Sequence, residues 1–175
     1  MKRSTMLSLE LTVLAVALYY LGGQWWLKTV AIATGTTCYH FAMRLAVGTW
    51  YQWKFANQMD YHHGWFAPKS WEKPLYDRLQ VKRWKRHLPT YDPAVFDVKQ
   101  HSYQEIVMAM CQSELVHETI IILSFLPIFV SYFFGARGVF LVTSILATMV
   151  DLSFVVMQRY NRPRMEHLMA RMKKY

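Results

Sequence analysis

Two cysteines, Cys38 and Cys111, occur in 175 residues, and neither sits in a CxxC or a Cys/His spacing. That excludes a disulfide framework and a zinc site. Neither an HExxH nor a Gly-rich phosphate cradle is present, and the chain contains no internal repeat, so no metal is expected and no tightly bound cofactor is implied. Acidic residues are also scarce, with 11 aspartates and glutamates against 20 lysines and arginines, for a formal charge of +9. The basic residues cluster beside apolar runs, as in proteins that use charge to fix their orientation in a bilayer, so no nucleic-acid partner is expected. What is abundant is apolar: 54% of the residues are hydrophobic and the mean hydropathy is +0.07, which points to a membrane protein.

A crossing helix needs roughly 20 mostly apolar residues. The sequence predicts an all-α integral membrane protein with about four such helices, at about 6–21, 30–50, 115–134 and 139–157, in one membrane domain covering 1–175. The basic, apolar start has no small-x-small cleavage site after it and reads as a retained first helix. The second stretch, with His40 and Arg44, is the most polar of the four. Pro127 predicts a kink in the third, and "GARG" a tight hairpin turn between the last two. Residues 52–113, rich in aromatic, histidine and basic residues with four prolines, predict a membrane-hugging helical cap between the second and third helices, and 158–175 a basic tail that includes Lys173 and Lys174. Lysines and arginines concentrate before the first helix, in the cap and in the tail, which places both termini on the cytoplasmic side of a multi-pass cell-membrane protein.

Ionisable residues at membrane depth are costly and invite a functional reading. In "CQSELVHETII", Glu114 and His117 are three apart on one helix face; a carboxylate that fixes an imidazole makes a general base, and the spacing fits a purely structural polar pair equally well. Asp97 and His101 repeat the pairing if their segment is helical. His62 and His63, beside Asp60, read as interfacial loop histidines. Glu10 and Arg44 are candidates to pair across the first two helices, and Asp151 needs a partner, with Arg159 or a polar residue of the third helix as candidates. The arginines of "QRYNRPR", Arg159, Arg162 and Arg164, fall where the fourth helix is expected to leave the membrane, suited to holding a phosphate, with Asn161 and Pro163 shaping the exit.

Four motifs in order, "VKRWKRHLP" at Val81–Pro89, "FDxKxH" at Phe96–His101, "CxxELxH" at Cys111–His117 and "QRYNRPR" at Gln158–Arg164, resemble the glycosyl-4,4'-diaponeurosporenoate acyltransferase family, known for the last step of staphyloxanthin synthesis. The resemblance is strongest from about Trp71 to Arg171. It implies a small membrane enzyme that moves a long fatty acyl chain from a thioester donor, acyl-CoA or acyl carrier protein, onto a hydroxyl of a glycosylated lipid at the cytoplasmic face. Carried over to matching positions, it implies catalytic roles for Glu114, His117, Asp97 and His101, and substrate contacts for Arg159, Asn161, Arg162, Arg164, Trp84 and Lys85, to which the neighbouring Lys82 is added. On that scheme His117, oriented by Glu114, deprotonates the hydroxyl; Arg159 or Asn161 donates to the oxyanion, and Arg162, Arg164, Lys82 and Lys85 grip the donor's phosphates. The sequence departs from the family pattern at Gln112, where arginine is frequent, and at Glu118, where an aromatic is. Membrane lipids, the glycosylated acceptor and an acidic carrier protein are the expected partners. A phospholipid-dependent transacylase and a non-catalytic lipid-binding subunit remain open.

Overall fold

The computed structural model describes residues 2–89 and 93–172, all helix or loop, with no strand among them. The long helices are α1 (Lys2–Gly22), α2 (Trp25–Phe55), α5 (Tyr103–Leu123), α6 (Leu126–Phe134) and α7 (Arg137–Met172); two short ones, α3 (Glu72–Arg78) and α4 (Val81–Trp84), lie between α2 and α5. Three helical stretches are long and apolar enough to cross a membrane: Lys2–Gly22, Tyr103–Phe134 and Arg137–Met172. The α2 helix does not meet that standard, because Lys28, His40, Arg44 and a run of threonines and glycines dilute its apolar residues.

Helix ends follow local chemistry. The α1 helix stops at Gly23, whose φ of +63° suits glycine, and its N–H returns to the Tyr19 carbonyl at 2.8 Å. The α5 helix starts twelve residues earlier than the expected 115, and the cause is a capping box. Ser102 Oγ accepts from the Glu105 N–H at 3.3 Å, while Glu105 Oε2 accepts from the Ser102 N–H at 2.8 Å. Residues 103–113, assigned above to the cap, are therefore the first three turns of α5. At its other end the helix breaks at Ser124 and Phe125 and resumes as α6, with Pro127 in the first turn. Proline has no N–H for the carbonyl four residues back; that carbonyl, of Leu123, accepts instead from the Tyr39 hydroxyl at 2.8 Å. The "GARG" turn forms between α6 and α7, with Gly135 at φ +73°.

The fourth helix also differs from expectation. Instead of ending near Met157 it continues to Met172, so the described part of the basic tail is helical; Lys173 and Lys174 lie outside the described residues. Pro163 sits inside the helix and does not end it. Thirty-six residues span about 54 Å, well beyond an apolar bilayer core of roughly 30 Å.

The chain forms two compact units, Met1–Trp50 with Thr119–Asp151, and Tyr51–Glu118 with Leu152–Tyr175. In the first, α1 packs through small residues: Ser8 and Ala15 are its buried positions, and Gly35 of α2 lies against Thr12. Its outer surface is apolar, including Val13, Leu14, Phe129, Phe133 and Val142, as contact with lipid requires. Arg44 pairs with Asp151 and donates to the Ala147 carbonyl at 3.2 Å. The expected pairing of Glu10 with Arg44 is thus not made; Glu10 is exposed, and Asp151 finds its cation on α2 rather than in Arg159. Buried His40, one turn before Arg44, has no hydrogen-bond partner for either ring nitrogen among the described residues. The second unit has its own core of Phe66, Tyr76, Val81, Ile106, Val107, Met110 and Cys111.

Candidate functional site

The second unit holds an ion network built by "QRYNRPR" and two carboxylates. Glu114, fully buried at 0% exposure, accepts from Arg159 Nη1 at 2.5 Å and from Arg162 Nη1. Arg159 also donates from Nε and Nη2 to Glu72 Oε1, at 2.9 and 2.6 Å. Two guanidiniums thus meet two carboxylates, and charge is balanced where water is scarce, as buried ions require. The remaining donors hold a loop: Arg162 Nη2 donates to the Phe66 carbonyl, and Arg159 reaches the Trp65 and Ala67 carbonyls at 3.4 Å each. Burial, together with the Glu72 carboxylate beside it, pushes the Tyr76 phenol up to about 12.

This geometry reassigns several residues. Both Glu114 oxygens accept from guanidiniums, partners that the helix spacing of Glu114 and His117 did not reveal. Arg159 directs its guanidinium nitrogens, and Arg162 its two Nη groups, to carboxylates and backbone carbonyls, where the sequence reading expected phosphate or oxyanion contacts. The His117 ring lies nearly parallel to that of Phe154, with centroids 4.6 Å apart and planes 12° apart. Its neighbour Glu118 accepts from the Trp65 indole N–H at 2.9 Å, so this departure from the family pattern ties α5 to the 64–66 turn. Gln112, the other departure, serves the end of α2: its Oε1 accepts from the Asn57 N–H at 2.8 Å and its Nε2 donates to Gln52 at 3.1 Å.

Asp97 and His101 are not brought to this network. Their segment is a turn rather than a helix, and the Asp97 carboxylate accepts from the Lys99 N–H at 2.9 Å and from Gln100 at 3.1 Å. His101 has its Nδ1 3.9 Å from Glu105, and α5 carries His117 about 21 Å beyond Tyr103. The imidazole and carboxylate pairing read from the sequence at these two positions is therefore replaced by local turn bonds.

A cationic and aromatic patch gathers the rest. Lys85 donates to Asn161 Oδ1 and lies 4.7 Å from the centroid of the Tyr160 ring; the exposed Arg164 guanidinium lies 4.4 Å from the same centroid. Tyr160 in turn meets Tyr76 edge to face at 5.9 Å. Burial, with Arg164 and Lys82 close by, lowers the Lys85 ammonium below the usual lysine range, so positive charge is concentrated against its own repulsion. Trp84 gives its indole N–H to the Leu79 carbonyl at 3.0 Å, closing the end of α3. Asn161 is occupied by Lys85, and positive charge gathers at Lys82, Lys85 and Arg164.

Glu72 was missed by the sequence reading, since one acidic residue among lysines and tryptophans carries no motif. A cleft of about 330 Å³ also opens in this unit, with Tyr61, His62, His63, Phe66, Glu166 and Met169 among its walls. No group of three or more metal-ligating side chains is assembled among the described residues.

A family model described as glycosyl-4,4'-diaponeurosporenoate acyltransferase matches residues 62–171, a stretch that includes the whole ion network, His117 and the cationic patch. No curated protein and no solved structure matches the chain.

Proposed function

The chain belongs to the glycosyl-4,4'-diaponeurosporenoate acyltransferase family, an acyltransferase family of carotenoid biosynthesis, and from that premise we propose that it is a membrane O-acyltransferase acting on a hydroxyl of a glycosylated lipid. Its donor is a long-chain acyl thioester, on coenzyme A or acyl carrier protein, and the reaction takes place at the cytoplasmic face. The observation that carries the reading is the family match over 62–171, in which a histidine and an exposed cation cluster are both present.

In this mechanism His117 takes the acceptor's hydroxyl proton as the oxygen attacks the thioester carbon. A C–O bond forms, the C–S bond breaks, and the proton passes from the imidazole to the departing thiolate. Stacking on Phe154 helps to hold the His117 ring in its plane. Lys82, Lys85 and Arg164 hold the donor's phosphates beside Tyr160, and the same charge steers an acidic carrier protein. Four crossings put both termini in the cytoplasm, since lysine and arginine gather at the ends and in 52–102 while the short turns hold one each. The pairing of Arg44 with Asp151 supports α2 as the fourth crossing, because it compensates both charges.

The test is acyl transfer by membranes containing the full chain, supplied with labelled palmitoyl-CoA or palmitoyl-carrier protein and glycosylated carotenoid. Label in an acylated product, lost in His117→Gln, is the expected result. Product formed without any thioester indicates a transacylase drawing on membrane lipid, and no product from either source indicates a non-catalytic subunit; both results overturn the proposal.

A further inference from the structure

The cleft beside the ion network has no part in the mechanism above. It is lined by the loop that carries His62 and His63 and by Glu166 and Met169 of α7, which follow "NRPR". This loop is held through its backbone carbonyls, by bonds from Arg162 to Phe66 and from Arg159 to Trp65 and Ala67, and through the Trp65 indole, which donates to Glu118. Asp60 adds a bond from the His62 N–H at 2.9 Å. A site on a loop fixed in this way is preorganised, which lowers the ordering cost of binding.

The chemistry of the walls selects the ligand. The Trp65 N–H donates to His63 Nδ1 at 3.2 Å, so the neutral ring carries its proton on Nε2 and offers a donor. Glu166 offers acceptors; its Oε1 lies 3.8 Å from Arg162 Nε, which has no hydrogen-bond partner among the described residues. Tyr61 and His62 pack their rings against each other, with centroids 4.1 Å apart and a 38° tilt, and this ring pair gives the lining an aromatic element beside its polar groups. A donor and a carboxylate acceptor beside an aromatic face suit a group whose every hydroxyl both donates and accepts and whose C–H face is apolar. An anion is disfavoured by the carboxylate, and the exposed cations lie around Tyr160 instead. The cleft's size, about 330 Å³, is at the lower end for ligand sites, roughly 300–1,000 Å³, which suits one ring rather than a chain.

We propose that this cleft is the subsite for the sugar ring of the acyl acceptor, with His63 and Glu166 as its hydrogen-bonding groups and the packed Tyr61 and His62 ring pair as its aromatic wall. The assignment rests on the acyltransferase reading for the identity of the ligand, but not for the existence of a sugar site.

The full chain in lipid nanodiscs is examined with methyl β-glucoside, a short-chain alcohol and inorganic phosphate as separate probes. Two readouts are used: saturation transfer from protein to the glucoside ring protons, and protection of His62 and His63 from diethyl pyrocarbonate, mapped by peptide mass spectrometry. The glucoside, and neither other probe, is expected to receive saturation and to protect both histidines. Glu166→Gln and His63→Gln should each weaken glucoside binding at least tenfold. The protection experiment needs no variant, so a misfolded variant leaves the proposal exposed to it. No protection by the glucoside, equal protection by alcohol or phosphate, or unchanged binding in folded variants overturns the subsite. A wild type that transfers acyl groups yet shows no glucoside protection refutes the subsite alone; glucoside protection together with full transfer by His117→Gln refutes the mechanism alone.

Discussion

Replacing Glu114 by glutamine tests whether "QRYNRPR" is a scaffold. Glu114 is 0% exposed and Arg162 1%, so the substitution leaves Arg162 buried with only the carboxylate of Glu166, at 3.8 Å, to balance it. Breaking a buried pair from one side costs about 3–5 kcal/mol. For a chain of this size each kcal/mol moves the unfolding midpoint by about 2–4 °C, so Glu114→Gln should lower it by roughly 6–20 °C. Glu72→Gln should cost less, about 1.5–3 kcal/mol, because Arg159 keeps Glu114. Removing both charges, in Glu114→Leu with Arg162→Leu, should be milder than the sum of the single changes, since no buried ion is left without its partner. The assay is thermal unfolding of purified protein in one detergent, followed by tryptophan fluorescence and loss of monodisperse protein. A midpoint for Glu114→Gln within about 2 °C of wild type would refute the scaffold assignment.

His117→Gln should keep the unfolding midpoint while acyl transfer falls by about 10²–10⁴-fold, the usual contribution of a general base; retained activity in the membrane assay contradicts the role. His40→Leu should be neutral or stabilising by about 1 kcal/mol, because it removes a buried imidazole with no hydrogen-bond partner among the described residues, and a fall in the unfolding midpoint counts against this. Tyr76 titrates higher in the fold, at about 12 against an ordinary 10, so between those values the unfolded chain releases a proton that the folded chain keeps. Stability contributed by Tyr76 is therefore complete below pH 10 and lost as pH rises toward 12; Tyr76→Phe should flatten that part of the stability curve measured by denaturant titration.

Much of the helical framework was legible because it is written in composition and punctuation. Apolar runs located α1 and the pair α6 and α7, and Pro127 and "GARG" marked real interruptions. The start of α5 was legible too and went unread: "SYQE" is a capping box ahead of an apolar run, and it moves the helix back to Tyr103. The end of α7 was not legible, because a proline after "QRYNR" usually signals an exit, whereas Pro163 lies inside a helix that runs on to Met172. At the site, the sequence singled out Glu114, His117 and the arginines, and the structure adds the pairing of Glu114 with Arg159 and Arg162. Spacing along α5 favoured Glu114 with His117, yet a buried carboxylate gains more from two guanidiniums, and those arrive from a segment 45 residues away, with Glu72 from the loop region completing the balance. Periodicity within a helix carries no information about such contacts.

The measurement that tests the central claim most directly is a mass-spectrometric comparison of total lipids from cells expressing the wild type and His117→Ala at equal membrane abundance, in a host that makes glycosylated carotenoid. The account predicts a glycosylated lipid heavier by one fatty acyl group in the wild type and absent from the variant. Matching lipid profiles in the two strains would contradict it.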